Sequence, residues 1–198
     1  MSKTKKELGQ FYTKNANYIL QDLISFIPQK VNRIIDPFAG EGDLLNVVPD
    51  NFNAVGLDID PKKDFIKQND SLKSPIDYTN KDWIITNPPY LAKNKTKNKE
   101  IFNMYNVNDL YLASLKSVNG CLGGIFIVPA SFFTNANVNF RYKFLQKYEV
   151  LKIYFFEEQV FKDTSYTVCS FAFKQGNGVN KNIPIVFFLL HTTWIFYE

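Results

Sequence analysis

The chain has 198 residues, enough for one full domain with little left over. Hydrophobic residues at 45% and charged residues at 21% exclude a disordered chain and fit an ordinary globular one. A formal charge of +4 admits a polyanionic partner without requiring one, and a lone histidine, His191, argues against a His-based metal site or catalytic triad. Cys121 and Cys169 lie in apolar runs and read as small core residues, so no metal is expected. Nearly all the positive charge is lysine, since Arg33 and Arg141 are the only arginines. Aromatics reach 16%, more than a core of this size needs, which leaves some for stacking surfaces. The basic amino terminus has no apolar segment behind it, and the longest apolar run, Ile185 to Leu190, is too short to span a bilayer. An intracellular protein with no membrane partner is expected.

In chain order, Met1 to Glu7 is a charged leader. From Ala16, apolar residues recur at Ile19, Leu20, Leu23, Ile24 and Ile27, the spacing of one helical face, and Pro28 ends the run. Strands and helices then alternate. Arg33 to Asp36 reads as a first strand, Asp43 to Val48 as a helical start closed by Pro49, and Ala54 to Ile59 as a second strand. A weak third strand surrounds Phe65-Ile66, and Asp82 to Thr86 is the fourth. A polar loop from Ala92 to Asn103 precedes a helix over Val107 to Val118. Leu122 to Val128 is a buried fifth strand, Asn137 to Tyr148 a helix, Val150 to Phe156 a sixth strand and Tyr166 to Phe173 a seventh. This alternation predicts an α/β domain with a doubly wound, mostly parallel sheet of seven strands. The stretch Gln175 to Asn182, rich in Gly and Asn, reads as a boundary.

Asn87-Pro88-Pro89-Tyr90 leaves the fourth strand at its carboxyl end, where open α/β sheets hold ligands. Pro88 and Pro89 remove two backbone N–H groups and stiffen the loop, so its carbonyls remain as acceptors. The Asn87 amide oxygen is another acceptor, and Tyr90 offers a flat face beside it. An exocyclic amino group with two N–H bonds, such as adenine N6, suits that arrangement. The same four residues also read as a strand-ending turn with a packing tyrosine.

The first strand runs into Asp36-Pro37-Phe38-Ala39-Gly40-Glu41-Gly42-Asp43, whose glycines let the backbone turn closely against a ligand. Glu41 and Asp43 would repel a pyrophosphate, so a cationic or zwitterionic ligand fits better. A plain glycine turn into a helix is the alternative. Asp58, at the end of the second strand, stands where an acid usually holds a ribose diol. Asp70 follows the third strand, as an adenine-binding acid or as a turn residue.

Taken together, these motifs resemble the catalytic domain of the S-adenosylmethionine-dependent DNA adenine-N6 methyltransferases, of the class whose cofactor motifs precede the catalytic one. Gly9-Gln10-Phe11-Tyr12-Thr13 resembles that class's amino-terminal motif, with Lys14 where proline is common. Asp36 to Gly42 resembles the methionine-binding loop, and Asn87 to Tyr90 matches the catalytic motif in full. Gly124 to Pro129 resembles the later strand motif, and Phe161 stands where an aromatic stacks on an extruded base. The resemblance covers about residues 8–174. It implies a Rossmann-like class I fold whose last strand is antiparallel, and S-adenosylmethionine as cofactor. The implied cofactor contacts are Tyr12, Thr13, Asp36, Phe38, Ala39, Gly40, Gly42, Asp58, Ile59, Asp70, Ser71, Asn87 and Pro89. Asn87, Pro88 and Tyr90 are the implied catalytic residues, and Tyr90 and Phe161 sandwich the target base.

The implied reaction is methyl transfer to N6 of an adenine flipped out of duplex DNA. Lys93 to Lys99, beside the pocket, reads either as a phosphate contact or as a solvated loop. Methyltransferases of RNA bases and of release-factor glutamine share the Asn-Pro-Pro-Tyr chemistry and remain the alternative substrates. The expected layout is a cofactor-closing segment over 1–14, a catalytic domain over 15–175, and a linker with the start of a target-recognition region over 176–198. That short last segment predicts a catalytic half needing a specificity subunit or cognate restriction endonuclease as partner, or else a cofactor-binding remnant without activity.

Overall fold

The computed structural model describes residues 13, 15–134, 138–157, 160, 167–176, 185–188 and 196–197. Among these, nine strands form one sheet: β1 Arg33–Asp36, β2 Ala54–Asp58, β3 Ile66–Gln68, β4 Asp82–Thr86, β5 Gly123–Pro129, β6 Tyr148–Phe156, β7 Val168–Gln175, β8 Ile185–Phe188 and β9 Phe196–Tyr197. Their order is β3-β2-β1-β4-β5-β7-β6-β8-β9. The first five are parallel, and β7 runs antiparallel to both its neighbours. The seven expected strands are therefore present, with the last of them reversed. Two short strands extend the sheet, β8 parallel to β6 and β9 antiparallel to β8, so part of the tail lies beside β6.

Central strands are buried on both faces, which is why β4 reads Asp-Trp-Ile-Ile-Thr and β5 Gly-Gly-Ile-Phe-Ile-Val-Pro without alternation. At the amino ends of β1 and β4, Arg33 grips Asp82 bidentately at 2.8 and 2.7 Å. That bond holds the buried Asp82 carboxyl below the usual carboxylate range. It also pins the pairing that sets Arg33 opposite Asp82.

Helices are short. The first, α1, spans Ala16–Leu20 and tightens into a 3-10 segment over Gln21–Phe26. The expected apolar face is there: Ile19, Leu20 and Leu23 are fully buried. It breaks at Gln21, whose φ is +47°, because outside donors satisfy the last carbonyls. Ser170 Oγ donates to the Ile19 carbonyl at 2.6 Å, and Gln21 Nε2 to that of Tyr18 at 2.7 Å. Between β1 and β2 the expected helix shrinks to a 3-10 turn, Leu45–Val47. The polar loop before the next helix already turns helical at its end: α2 is Glu100–Tyr105 and α3 is Leu110–Ser117. The last, α4, is Val138–Leu145. No helix among the described residues is long and apolar enough to cross a membrane.

Much of the aromatic surplus sits in the core under β5, β7 and α4. Phe126 stacks on Phe173 at 5.4 Å, Phe132 stacks on Phe171 at 5.7 Å, and Phe144 meets Phe173 edge-on at 5.3 Å. Cys121 and Cys169 are buried free thiols. At Gly123 a Cβ would lie 2.3 Å from the Phe173 carbonyl and 2.6 Å from the Trp83 ring. Gly123→Ala should therefore force β5 from β7 and lower stability by about 1–3 kcal/mol or more. Thermal unfolding checks this, and an unchanged melting temperature would show that the strands part without cost.

Candidate active site

The sheet order reverses between β1 and β4, and the crevice outside their carboxyl ends is the ligand position of an open α/β sheet. Asp36 ends β1 and Asn87 follows β4. A hydrogen bond ties the two strands there: Thr86 Oγ1 donates to Asp36 Oδ1 at 2.7 Å. The Phe38 backbone N–H donates to the same oxygen at 3.0 Å. Burial pushes the Asp36 carboxyl up to about 7, against the pull of those two donors, and the nearby Asp58 charge adds to the rise. A buried acid poised in this way favours a cation as its neighbour.

The loop after β1 is folded back onto the last two residues of β2. Ala39 N–H donates to the Leu57 carbonyl at 2.8 Å, and Gly40 N–H to Asp58 Oδ2 at 2.9 Å. Gly40 and Gly42 take φ of +55° and +87°. A Cβ at Gly42 would also sit 2.8 Å from the Phe65 ring, so this glycine serves packing as well as the turn. The resulting pocket is lined by Thr13, Asp36, Phe38, Ala39, Gly40, Asp43, Leu44 and Asn87. It is a small crevice, partly open to solvent at the ends of these strands.

Thr13, Asp36, Phe38, Ala39, Gly40 and Asn87, all expected at the cofactor, come together on these walls. Gly42, Asp58, Ile59, Asp70, Ser71 and Pro89 do not line it. Asp58 is buried and ties down Gly40 and Asp60, whose N–H donates to Asp58 Oδ1 at 2.8 Å. Ile59 is exposed on the surface beyond β2. Asp70 Oδ1 accepts from the N–H groups of Leu72 and Lys73 at 3.3 and 3.2 Å, the role of a turn residue. Ser71 is buried and its Oγ accepts from Asn69 Nδ2 at 3.0 Å. Asp43 and Leu44 were not expected on the walls. The acid at Asp43 was visible in the sequence as a charge that excludes pyrophosphate and suits a cationic or zwitterionic ligand, without being named a contact. Tyr12 and Phe161 lie outside the described residues, as do Gly9, Gln10, Phe11 and Lys14.

In the loop Asn87 to Tyr90, Asn87 Nδ2 donates to Thr13 Oγ1 at 3.1 Å, and the Tyr90 hydroxyl stands 2.6 Å from Asn87 Oδ1. Tyr90 is 3% exposed and meets Tyr111 edge-on at 6.3 Å, so its face is not open for stacking in this conformation. Pro88 is buried and Pro89 half-buried. Asp109 is a further residue that the motif reading missed. It caps α3 through Tyr111 N–H at 3.5 Å and accepts from Leu91 N–H at 3.2 Å, which anchors the chain just past Tyr90. Burial pushes its carboxyl up to about 6. Its sequence signal was an acid immediately before a helical run.

The lysine-rich loop is built on its own hydrogen bonds. Residues Lys93–Lys95 form a 3-10 turn, Lys93 Nζ donates to Asn103 Oδ1 at 2.8 Å, and Lys99 Nζ donates to the carbonyls of Lys93 and Thr96. Lys95 and Lys97 remain exposed.

Residues 43–161, more than half of the chain, match the family model of the Eco57I restriction-modification methylase. A 99-residue alignment at 33% identity relates the chain to the ribosomal RNA small subunit methyltransferase A of Mycoplasma mobile, covering 43% of this chain and 39% of that protein. Among solved structures, a modification subunit of a putative type I restriction enzyme from Vibrio vulnificus superposes with a TM-score of 0.66 at 15% identity, over 90% of this chain and 47% of that one. A putative RNA methyltransferase from Pyrococcus horikoshii does so with a TM-score of 0.60 at 16% identity, over 88% and 90%. At such identities the structural likeness is one of fold, and the chain spans less than half of the curated relative and of the Vibrio subunit. The family match, which includes the loop Asn87 to Tyr90, carries the assignment: this chain belongs to the Eco57I restriction-modification methylase family.

Proposed function

We propose that this chain transfers the methyl group of S-adenosylmethionine to N6 of adenine in DNA, with the base turned out of the duplex beside Asn87 to Tyr90. The observation that carries the reading is the placement of the Asn87 amide next to the buried Asp36 crevice, in a chain of a restriction-modification methylase family. The donor set fits the cofactor. On the pocket walls Asp36 and Asp43 suit a cationic amino acid end, and beyond those walls Asp58, which holds Gly40, stands on the side of a diol and exposed Ile59 on that of an apolar ring contact. When bound, S-adenosylmethionine supplies an electrophilic methyl group on a positively charged sulfur.

The remaining chemistry belongs to the protein. Adenine N6 is a poor nucleophile because its lone pair is delocalised into the ring. Asn87 Oδ1 and the Pro88 carbonyl, accepting its two hydrogens, favour a more tetrahedral nitrogen whose lone pair is free to attack. Such acceptors are aimed at charge that develops only during transfer. Holding both reactants in line supplies much of the rest. Extruding the base costs a few kcal/mol, which stacking on Tyr90 and Phe161 offsets at roughly 1–3 kcal/mol each. Tyr90 is buried in the ligand-free chain, so its ring stacks only through the face that the incoming base uncovers, with its hydroxyl still held in the loop.

Lys95 and Lys97 are the phosphate contacts in this reading, presented by a loop that Lys93 and Lys99 hold in shape. Replacing both with Gln should weaken DNA binding equally for all sequences and reduce the salt slope by about 2. A salt titration of DNA affinity checks this, and an unchanged slope would remove the loop from the interface. Sequence choice is assigned to a specificity subunit, a cognate endonuclease or a separate recognition region.

The identity with a ribosomal RNA methyltransferase favours RNA as the second reading. Tritiated methyl transfer to DNA, RNA and release factor in parallel separates the substrates. Labelling of DNA supports the first reading, and labelling of RNA or release factor alone overturns it.

A further inference from the structure

The Tyr90 hydroxyl has one proton and two acceptors in reach, Asn87 Oδ1 at 2.6 Å and the Ile127 carbonyl at 2.9 Å. The second acceptor has a structural origin. Strands β4 and β5 pair up to Thr86 opposite Phe126, and the next step sets Asn87 beside Ile127. The ladder donor for the Ile127 carbonyl would then be the N–H of residue 88, a proline that has none. Tyr90 supplies the missing donor from two residues further along the loop. Its ring is buried edge-on to Tyr111, so the hydroxyl is held at this spot. Thr13 grips the other end of the Asn87 amide at 3.1 Å, which keeps Oδ1 turned toward Tyr90.

We propose that the Tyr90 hydroxyl is a latch on the catalytic amide. At rest its proton lies on Asn87 Oδ1, the shorter of the two contacts, and weakens that oxygen as an acceptor. When an exocyclic amino group approaches Oδ1, the hydroxyl rotates and places its proton on the Ile127 carbonyl. The amide is released and the buried carbonyl gains a donor, so the hydroxyl keeps a partner throughout. Tyr90 thereby acts as a positioning residue through its oxygen, a role separate from any stacking by its ring. This rests on the proposed reading of Asn87 as the acceptor for the target amino group.

The test uses the full chain and the variant Tyr90→Phe, which keeps the ring and removes the latch. Binding of single-stranded oligodeoxyadenylate is compared with that of oligodeoxythymidylate, whose base has no exocyclic amino group. The ratio of the two affinities cancels phosphate contacts. It should rise by up to about 3-fold in Tyr90→Phe, because only the difference between the 2.6 Å and 2.9 Å bonds is removed when the hydroxyl no longer changes partner. A ratio that is unchanged or falls overturns the latch.

A second measurement needs no nucleic acid. In the ligand-free chain, the Tm losses of Tyr90→Phe and Asn87→Ala should be non-additive in the double variant, because both remove one shared bond. Additive losses overturn the proposal. If neither oligonucleotide binds wild type while the losses are coupled, the nucleic-acid reading fails and the bond between Tyr90 and Asn87 stands.

Discussion

Asn87→Ala is expected to lower methyl transfer by about 10²–10³-fold, the usual consequence of removing one preorganised acceptor or donor from the reacting centre. Cofactor binding should stay within a few-fold of wild type, since Asn87 is one of eight residues that line the crevice and Asp36 and the Gly40 loop remain. Side-by-side cofactor titration and single-turnover transfer separate the two effects. Full transfer by the variant would remove Asn87 from the chemistry. Loss of cofactor binding with loss of transfer would make it a wall of the cofactor site instead. The melting temperature of the variant must be read as well. Alanine removes the partner of the Tyr90 hydroxyl and of the Thr13 hydroxyl, both in buried surroundings.

Cofactor affinity should depend on pH through Asp36. Its carboxyl is raised to about 7 by burial, so in the ligand-free protein it holds a proton below that value. Binding of a cationic group beside it favours the ionised form and expels the proton. Affinity should therefore rise by up to about tenfold per pH unit as pH approaches 7 from below, and level off above. Asp36→Asn removes the titrating group and should flatten the profile at the weak end. Equal, flat profiles for both proteins would mean that Asp36 does not meet a cation.

Burial of Asp36 also makes the stability of the ligand-free fold depend on pH, with a definite sign. An acid whose folded-state value lies above its unfolded one stabilises the fold fully below the unfolded value. That contribution is lost as pH rises through the folded value. For Asp36 the window runs from the ordinary value of 3.8 to about 7. The loss is on the order of 4 kcal/mol, since each tenfold change in proton affinity is worth about 1.36 kcal/mol. Asparagine keeps an oxygen for the Thr86 hydroxyl and the Phe38 N–H without the buried charge. At pH values above 7 the ligand-free Asp36→Asn variant should therefore melt higher than wild type, by about 2–4 °C for each kcal/mol recovered. A lower melting temperature at that pH would refute the burial argument.

Local backbone chemistry was legible from the sequence. The five parallel strands β1 to β5, the glycine turn after β1 and the loop after β4 were all found within a residue or two, because apolar runs and Gly or Pro punctuation act on near neighbours. Motif order along those strands also identified the crevice, since the doubly wound topology puts the ends of β1 and β4 side by side. Helices were less legible. The run from Ala16 is α-helical only to Leu20 before it tightens into a 3-10 segment, where a donor arrives from Ser170, some 150 residues away, and the helical start at Asp43 shrinks to a 3-10 turn.

Partnership was decided by the tertiary structure alone. The acids Asp36, Asp58 and Asp70 look alike as strand-ending acids. Only the folded chain turns the first into a buried wall of the crevice, the second into an anchor for the Gly40 loop and the third into a turn. The same holds for Tyr90, which read either as an open face or as a packing tyrosine and lies buried with its hydroxyl on Asn87 and Ile127. A residue's type and neighbours set what it is able to bond. Which group it bonds depends on the strand that lands beside it, and that strand comes from far along the chain.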